Sequence, residues 1–462
     1  MKILMVTSEL APLAKTGGLA DAVAGLARAL GTRGHEVIVL LPGYAHLPPT
    51  GAATRAYAAE RARFVELEDP ATPYRVCLLD APEFRDSDLY LGDVRDAARF
   101  LALARGALEL GEALDFQADV IHCHDWHAAL TTALARAARI PASTILTLHN
   151  VTYQGAFALH DAPAEPLFQQ LHRGGMVNFL ASGVRHADII TTVSPTHARD
   201  ILADDVGADL QQDLRARQDD LVGILNGVDY GVWSPESDPW IRYRYTADDL
   251  RPKAQAKRAL RKQVGLPADG RGPLLGLVSR LNWNKGIDLL VHALPTLLER
   301  TDASFVVLGS GEDWLARDLH AAAAAAPDRV VFVEGYDEVL SHRIFAGSDF
   351  ILVPSRHEPC GLTQLYALRY GSIPIVHKTG GLADSIRHFD PVTGQGTGSV
   401  FEDADVQGLI WGATTAIGWY RSTRWRQLRR NAMEADFSWE SSVPEYEAVY
   451  ARGLAARAIL AA

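Results

Sequence analysis

The chain has 462 residues, 48% apolar and 22% charged, a globular balance that excludes an intrinsically disordered or collagen-like protein. At roughly 150 residues per domain, this length implies about three domains or two large ones. Lys and Arg number 45 and Asp and Glu 56, so the net charge of −11 argues against a protein built to grip nucleic acid, while leaving room for local basic sites that hold a small phosphate ligand.

The N-terminus, MKILMVTSEL, has an apolar run that ends at Val6 and is soon followed by Glu9. That is too short for the apolar region of a secretory signal. No stretch reaches the ~18 apolar residues of a membrane span. Cys77, Cys123 and Cys360 are too few and too scattered for a disulfide framework. The expectation is a cytoplasmic protein with no membrane partner.

Short runs rich in Val, Ile and Leu recur along the chain. The first set lies at 2–6, 36–41, 74–79, 119–124, 143–149, 188–194 and 221–225. The second lies at 274–279, 304–309, 330–335, 349–355 and 373–378. Most are continuous rather than alternating, which is how parallel strands buried on both faces read. Helical patterns fill the intervals, as at Leu19–Leu30, Ala97–Leu114 and Gly286–Leu298. The fold class is therefore α/β, with parallel sheets in two doubly wound domains. Between the sets, VDYGVWSPESDPWIRYRY (228–245) has no clean period and reads as the interdomain crossing. After Glu402 the pattern is helical, which predicts a C-terminal helical extension. The expected divisions are 1–235, 236–440 and 441–462, with the extension packing back on the first domain.

The heptapeptide KTGGLAD occurs twice, at 15–21 and at 378–384, each time after a strand-like run and before a helix-like one. A shared strand–turn–helix packing solution would explain it. So would anion binding, if the glycines free N–H groups at a helix N-terminus. Ligands of open parallel sheets bind at the carboxyl ends of strands, so a cleft across which the two domains face each other is the expected active site.

Candidate residues fall at those strand ends. Arg280 and Lys285 follow the strand at 274–279 and can converge on one phosphate, the first as a planar fork and the second as a point charge. Glu358 follows the strand at 349–355 and can accept sugar hydroxyls or face developing positive charge. Gly361 can free N–H groups for an anion, whereas Cys360 reads as a small packed residue. In HCHDWH (122–127), His122 and His124 share one strand face, but no second cluster gives zinc-like spacing. Asp125 and His127 read as substrate neighbours and Trp126 as a stacking face. His149 and Asn226 end strand runs and are cleft candidates, with turn-forming roles as the alternative. Tyr336 can stack on a base or serve packing. No G-x-S-x-G elbow and no P-loop occurs.

Over nearly its whole length the sequence resembles the bacterial glycogen synthases and plant starch synthases. The resemblance rests on KTGGLAD (15–21), HDWH (124–127), LHN (148–150), NGVDYGVW (226–233), SRLNWNKG (279–286), EGYDE (334–338), PSRHEPCGLTQLYALRYG (354–371) and the second KTGGLAD. It implies a GT-B glycosyltransferase of two Rossmann-like domains facing across a cleft, with an acceptor-side first domain and a nucleotide-sugar-binding second domain. The implied reaction is retaining transfer of glucose from ADP-glucose to the non-reducing end of an α-1,4-glucan such as glycogen, without a bound metal or other cofactor. Carried over by motif, Lys15, Gly17 and Gly18 approach the donor, with Asp21 and Asn226 nearby. Arg280 and Lys285 neutralise the diphosphate, and Cys360, Gly361, Leu362 and Thr363 complete the anion site. Glu358 and His149 contact the donor glucose, Tyr336 sits by the adenine, and Asp125 lies on the acceptor side. Eight residues after Glu358, where related glycosyltransferases often carry a second carboxylate, stands Tyr366. Ribose recognition by a Glu is therefore not implied. The alternatives are a glycosyltransferase using UDP-glucose or another acceptor, and a non-catalytic glucan-binding protein of the same fold.

Overall fold

The computed structural model describes residues 1–48, 52–69, 71–86, 88–203 and 206–461. The chain forms two compact units, Met1–Gly227 with Trp439–Ala462, and Val228–Ser438.

The first unit carries β1 (Lys2–Val6), β2 (Glu36–Pro42), β3 (Thr54–Ala58), β4 (Arg63–Leu67), β5 (Arg75–Asp80), β6 (Val120–His124), β7 (Ser143–Leu148), β8 (Ala156–Ala158), β9 (Met176–Asn178), β10 (Ile189–Thr192) and β11 (Leu221–Gly223). Nine of these form one sheet in the order β11-β10-β7-β6-β1-β2-β5-β4-β3, and β8 pairs with β9. The sheet is parallel from β11 to β5, and β4 and β3 add antiparallel pairs at one edge. Every residue of β6 and β7 is buried, as expected of parallel strands covered on both faces. The sequence pattern locates each parallel strand but not β3 and β4. Four of the five β3 residues are exposed, so no apolar run marks that strand.

The second unit carries β12 (Leu274–Val278), β13 (Ser304–Gly309), β14 (Val330–Glu334), β15 (Phe350–Val353), β16 (Ile373–His377) and β17 (Ser399–Phe401). They form one wholly parallel sheet, β14-β13-β12-β15-β16-β17. In both sheets the winding reverses beside the first strand of the unit, between β1 and β6 and between β12 and β15. Open α/β sheets bind their ligands outside the carboxyl ends of strands at such a reversal.

The segment 228–245 is not a free crossing. It belongs to the second unit, where Trp233, Ile241 and Tyr245 join the core. Trp233 is stacked between His342 and Tyr366, with ring centroids 3.8 and 3.9 Å away. Asp238 is fully buried and accepts hydrogen bonds from His342 Nδ1 at 2.8 Å and the Tyr370 hydroxyl at 2.5 Å. Its aromatic residues cover apolar surface, which a solvated linker would leave bare. The division thus falls at 227/228 rather than 235/236.

The helix Trp439–Ala461 belongs to the first unit. Gly25 and Gly227 lie directly against Trp439, leaving no room for a Cβ. Glu447 pairs with Arg33 at 2.8 Å and with His35 at 2.9 Å. The Tyr450 hydroxyl meets buried His122 Nδ1 at 2.9 Å, and His122 Nε2 continues to Thr147 at 2.6 Å. Among the described residues no helix is long and apolar enough to cross a membrane.

Candidate active site

In the second unit, the loops after β12 and β15 are tied together. Asn282 accepts the N–H of Lys285 at 3.0 Å, which closes a tight turn. Gly286 follows with φ of +66°, and a Cβ there would lie 2.1 Å from the Pro354 carbonyl oxygen. Only glycine combines that backbone with that approach. Arg356 completes the clamp. Its guanidinium forks onto Asp288 with two 2.7 Å bonds and lies 4.2 Å from the ring centroid of Trp283.

The clamp sets Lys285 Nζ 2.6 Å from Glu358 Oε2, which also accepts from Ser355 Oγ at 2.9 Å. Glu358 is 9% exposed. A recess of about 20 Å³, lined by Ser279, Lys285, Ser355, Glu358 and Thr363 among others, lies beside the pair. The structure thus brings Lys285, Glu358 and Thr363 together. Arg280 stands exposed one residue past Ser279.

Gly361 has φ of +72°, and the Gln364 side-chain amide donates to the carbonyls of Cys360 and Gly361 at 2.9 and 2.8 Å. With the carbonyls held from that side, the N–H groups of Gly361, Leu362 and Thr363 have no acceptor among the described residues. They can receive an anion. Cys360 is 5% exposed, as a packed residue should be. Tyr336 is 74% exposed and donates to Glu338 at 3.3 Å.

The two KTGGLAD copies do different things. In the first, the N–H groups of Thr16 and Gly17 donate to Glu9 Oε2 at 2.7 and 3.2 Å, so an internal carboxylate already occupies them. Thr16 Oγ1 and the Tyr90 hydroxyl donate to Glu9 Oε1 at 2.7 and 2.6 Å. The loop is thereby fixed, Lys15 pairs with Asp21 at 3.0 Å, and Gly17 has open space where a Cβ would stand. Gly18 is exposed at the start of the helix Gly18–Thr32. In the second copy, the Gly381 N–H donates to the Glu358 carbonyl at 3.0 Å, and a Cβ on Gly380 would lie 2.1 Å from that oxygen. These glycines hold the Glu358 turn. Lys378 pairs with Glu402 on the surface, unlike its counterpart Lys15.

At the ends of β6 and β7, Asp125 takes a left-handed backbone with φ of +57°. Its Oδ1 accepts the N–H groups of His149 at 2.7 Å and Asn150 at 3.2 Å. Burial pushes the Asp125 carboxyl up to about 7, against the pull of those two bonds, and the charge of Glu9 adds to the rise. Burial likewise holds His149 down to about 3. Trp126 is not a stacking face. It is 9% exposed and packed on Phe100, with ring centroids 4.8 Å apart, and on Gly155. His127 is buried against Tyr90 at 4.7 Å. Asn226 is buried, and its Oδ1 has no hydrogen-bond partner. Among the described residues no group of three His, Cys, Asp or Glu side chains is disposed to hold a metal ion.

Sequence reasoning overlooked Glu9, Ser355 and Arg356. Glu9 stands seven residues before Thr16, and nothing in that spacing announces a loop folding back on it.

Two doubly wound units, each with candidate side chains at its strand reversal, make up the architecture of the GT-B glycosyltransferases, the class in which the comparisons place the chain. Residues 2–216 match the family model for the starch synthase catalytic domain, and residues 258–418 match that for glycosyl transferases group 1. A glycogen synthase of Anaeromyxobacter dehalogenans is 42% identical over 97% of this chain and 99% of its own. One from Bacillus subtilis is 36% identical over 97% and 98%. The solved catalytic domain of starch synthase IV from Arabidopsis thaliana, bound to ADP and acarbose, has a TM-score of 0.90 at 35% identity, covering 98% of this chain and 99% of that one. The chain belongs to the glycogen and starch synthase family.

Proposed function

We propose that this glucosyltransferase takes glucose from ADP-glucose and adds it, with retention, to the non-reducing end of an α-1,4-glucan. The observation that carries the reading is the Lys285–Glu358 pair beside the free N–H groups of Gly361, Leu362 and Thr363. Breaking the bond between the anomeric carbon and the diphosphate leaves negative charge on the leaving group. Lys285 has donors to spare beyond its bond to Glu358. Together with Arg280 and those amides, it can stabilise that charge. The structural relative bound to ADP and acarbose supports ADP as the nucleotide and a glucan as acceptor.

In this reading the second unit binds the nucleotide sugar and the first is the acceptor side. Glu358 and His149 contact the donor glucose. Lys15, Gly17 and Gly18 approach the donor, with Asp21 and Asn226 nearby. Cys360 belongs to the donor-side turn, Tyr336 lies by the adenine and Asp125 serves the acceptor side. Retention follows a same-face route. The acceptor hydroxyl oxygen bonds the anomeric carbon as the sugar–phosphate bond breaks, and its proton passes to the departing phosphate. The three cysteines, buried and outside any disulfide, suit a cytoplasmic location.

The test is incubation with glycogen and either ADP-glucose or UDP-glucose, reading nucleoside diphosphate release and the linkage formed. ADP release with new α-1,4 bonds is expected. Faster UDP release would overturn the donor assignment, and no turnover with either would favour a glucan-binding protein. A glucosyl–enzyme adduct trapped by mass spectrometry would overturn the same-face route.

A further inference from the structure

Two consecutive residues at the end of β6 hold His149, one by its backbone and one by its ring. Asp125 Oδ1 holds its backbone N–H at 2.7 Å, and His124 Nδ1 meets its Nε2 at 3.1 Å. Two imidazoles that meet nitrogen to nitrogen have one proton between them, so one ring donates and the other accepts. The direction follows from the far side of His124. That residue is 1% exposed, and its Nε2 is buried with no hydrogen-bond partner.

If His149 donated, neutral His124 would carry its proton on Nε2, as a buried N–H with nothing to receive it. If His124 donates from Nδ1, its Nε2 is only a bare lone pair. Orphaned buried N–H groups are the rarer and costlier case. His149 must then carry its own proton on Nδ1. That atom has no protein partner and is not among the enclosed, unpartnered ones, so it is open to a ligand. The surroundings favour neutral rings. His122 lies 4.2 Å from His124, with both its nitrogens engaged by Tyr450 and Thr147. The acidic groups nearby are Asp125, bound to the backbone of His149 and Asn150, and Glu9, bound to the Lys15 loop.

We propose that His124 is a positioning residue that locks His149 in its Nδ1–H tautomer, so that His149 offers the transferred sugar a fixed hydrogen-bond donor. The proposal rests on the reading that His149 contacts the donor glucose. A locked donor suits a sugar hydroxyl or ring oxygen, both of which can accept.

The experiment uses full-length protein labelled with 15N-histidine, in wild-type form and as His124→Asn and His124→Leu. His149 is assigned by the signals lost in His149→Ala. Long-range 15N–1H correlations are expected to show His149 protonated on Nδ1 in the wild type. They should show the same in His124→Asn, whose side-chain N–H can replace the donor. In His124→Leu the ring should drift toward the Nε2–H form that free histidine prefers. In parallel, kcat should fall about tenfold or more in His124→Leu and recover to within about threefold in His124→Asn. Nε2–H in the wild type would overturn the proposal. So would one tautomer in all three proteins, or equal loss of kcat in both variants with native circular dichroism. Should His124→Leu fail to fold, the wild-type tautomer still decides. Full turnover by His149→Ala would refute the sugar contact alone and leave the tautomer result standing.

Discussion

Glu358→Gln separates the chemistry of the Lys285–Glu358 pair from its contribution to stability. The change keeps the size of the side chain and an oxygen able to accept from Ser355, at present 2.9 Å away, but removes the charge 2.6 Å from Lys285 Nζ. A hydrogen bond to a charged group contributes about 1.5–3 kcal/mol. The Lys285 side chain is 23% exposed, so water replaces part of what it loses, and the new amide oxygen can still accept from it. The net cost is therefore about 1–2 kcal/mol. For a unit of this size that lowers Tm by about 2–8 °C. Turnover should suffer more. If Glu358 faces charge that develops only in the transition state, kcat falls about 100- to 1000-fold while KM for the donor changes little. Initial rates of ADP release with glycogen, beside thermal unfolding followed by circular dichroism, measure both effects. A fall in Tm with kcat intact would make the pair structural. A loss carried wholly by KM would refute a transition-state role.

The two glycine repeats make opposite predictions. Gly380→Ala forces a Cβ to 2.1 Å from the Glu358 carbonyl at φ of +41° and should cost at least about 2 kcal/mol, with activity lost alongside. Gly17→Ala meets nothing within 4 Å, so urea midpoints should hold stability within about 0.5 kcal/mol. Its donor kcat/KM should nonetheless fall about tenfold, and unchanged kinetics would remove that loop from the donor site. Acid should destabilise the first unit. Burial holds His122, His127 and His149 down to about 3, and His124 well below its usual value. Each is neutral when folded but binds a proton on unfolding once pH drops below about 6.5. That loses about 1.4 kcal/mol per pH unit for each ring. Asp125, pushed up to about 7, opposes this below that pH because the folded state then holds the extra proton, but it is one group against four. Equal urea midpoints at about pH 7.5 and 5.5 would refute the account.

Most of the architecture can be read from apolar runs because parallel strands are buried on both faces. The run at 304–309 is a strand from end to end, and those at 143–149 and 349–355 lose only terminal residues. Arg63–Leu67 escaped because it is an antiparallel strand in which burial alternates, so Phe64, Val65 and Leu67 are flanked and interrupted by charged residues and make no continuous apolar run. The strand-end positions of Lys285, Glu358 and His149 follow from the same runs. Which atoms meet does not. Glu9 reaches Thr16 and Gly17 only because the loop doubles back, and Arg356 reaches Asp288 only because β12 and β15 are neighbours across a reversal of winding. The heptapeptides are identical in sequence, yet the first meets the Glu9 carboxylate and the second the Glu358 carbonyl.

The helix Trp439–Ala461 completes the first unit although the whole second unit is translated before it. Until that helix has emerged, the earlier unit must therefore wait, with the pocket for Trp439 unfilled and His122 lacking Tyr450. A chain without that helix would present quality control in the cell with an unfinished amino-terminal half. Premature stops near codon 438 should thus yield chains whose defect lies in the half that was made first.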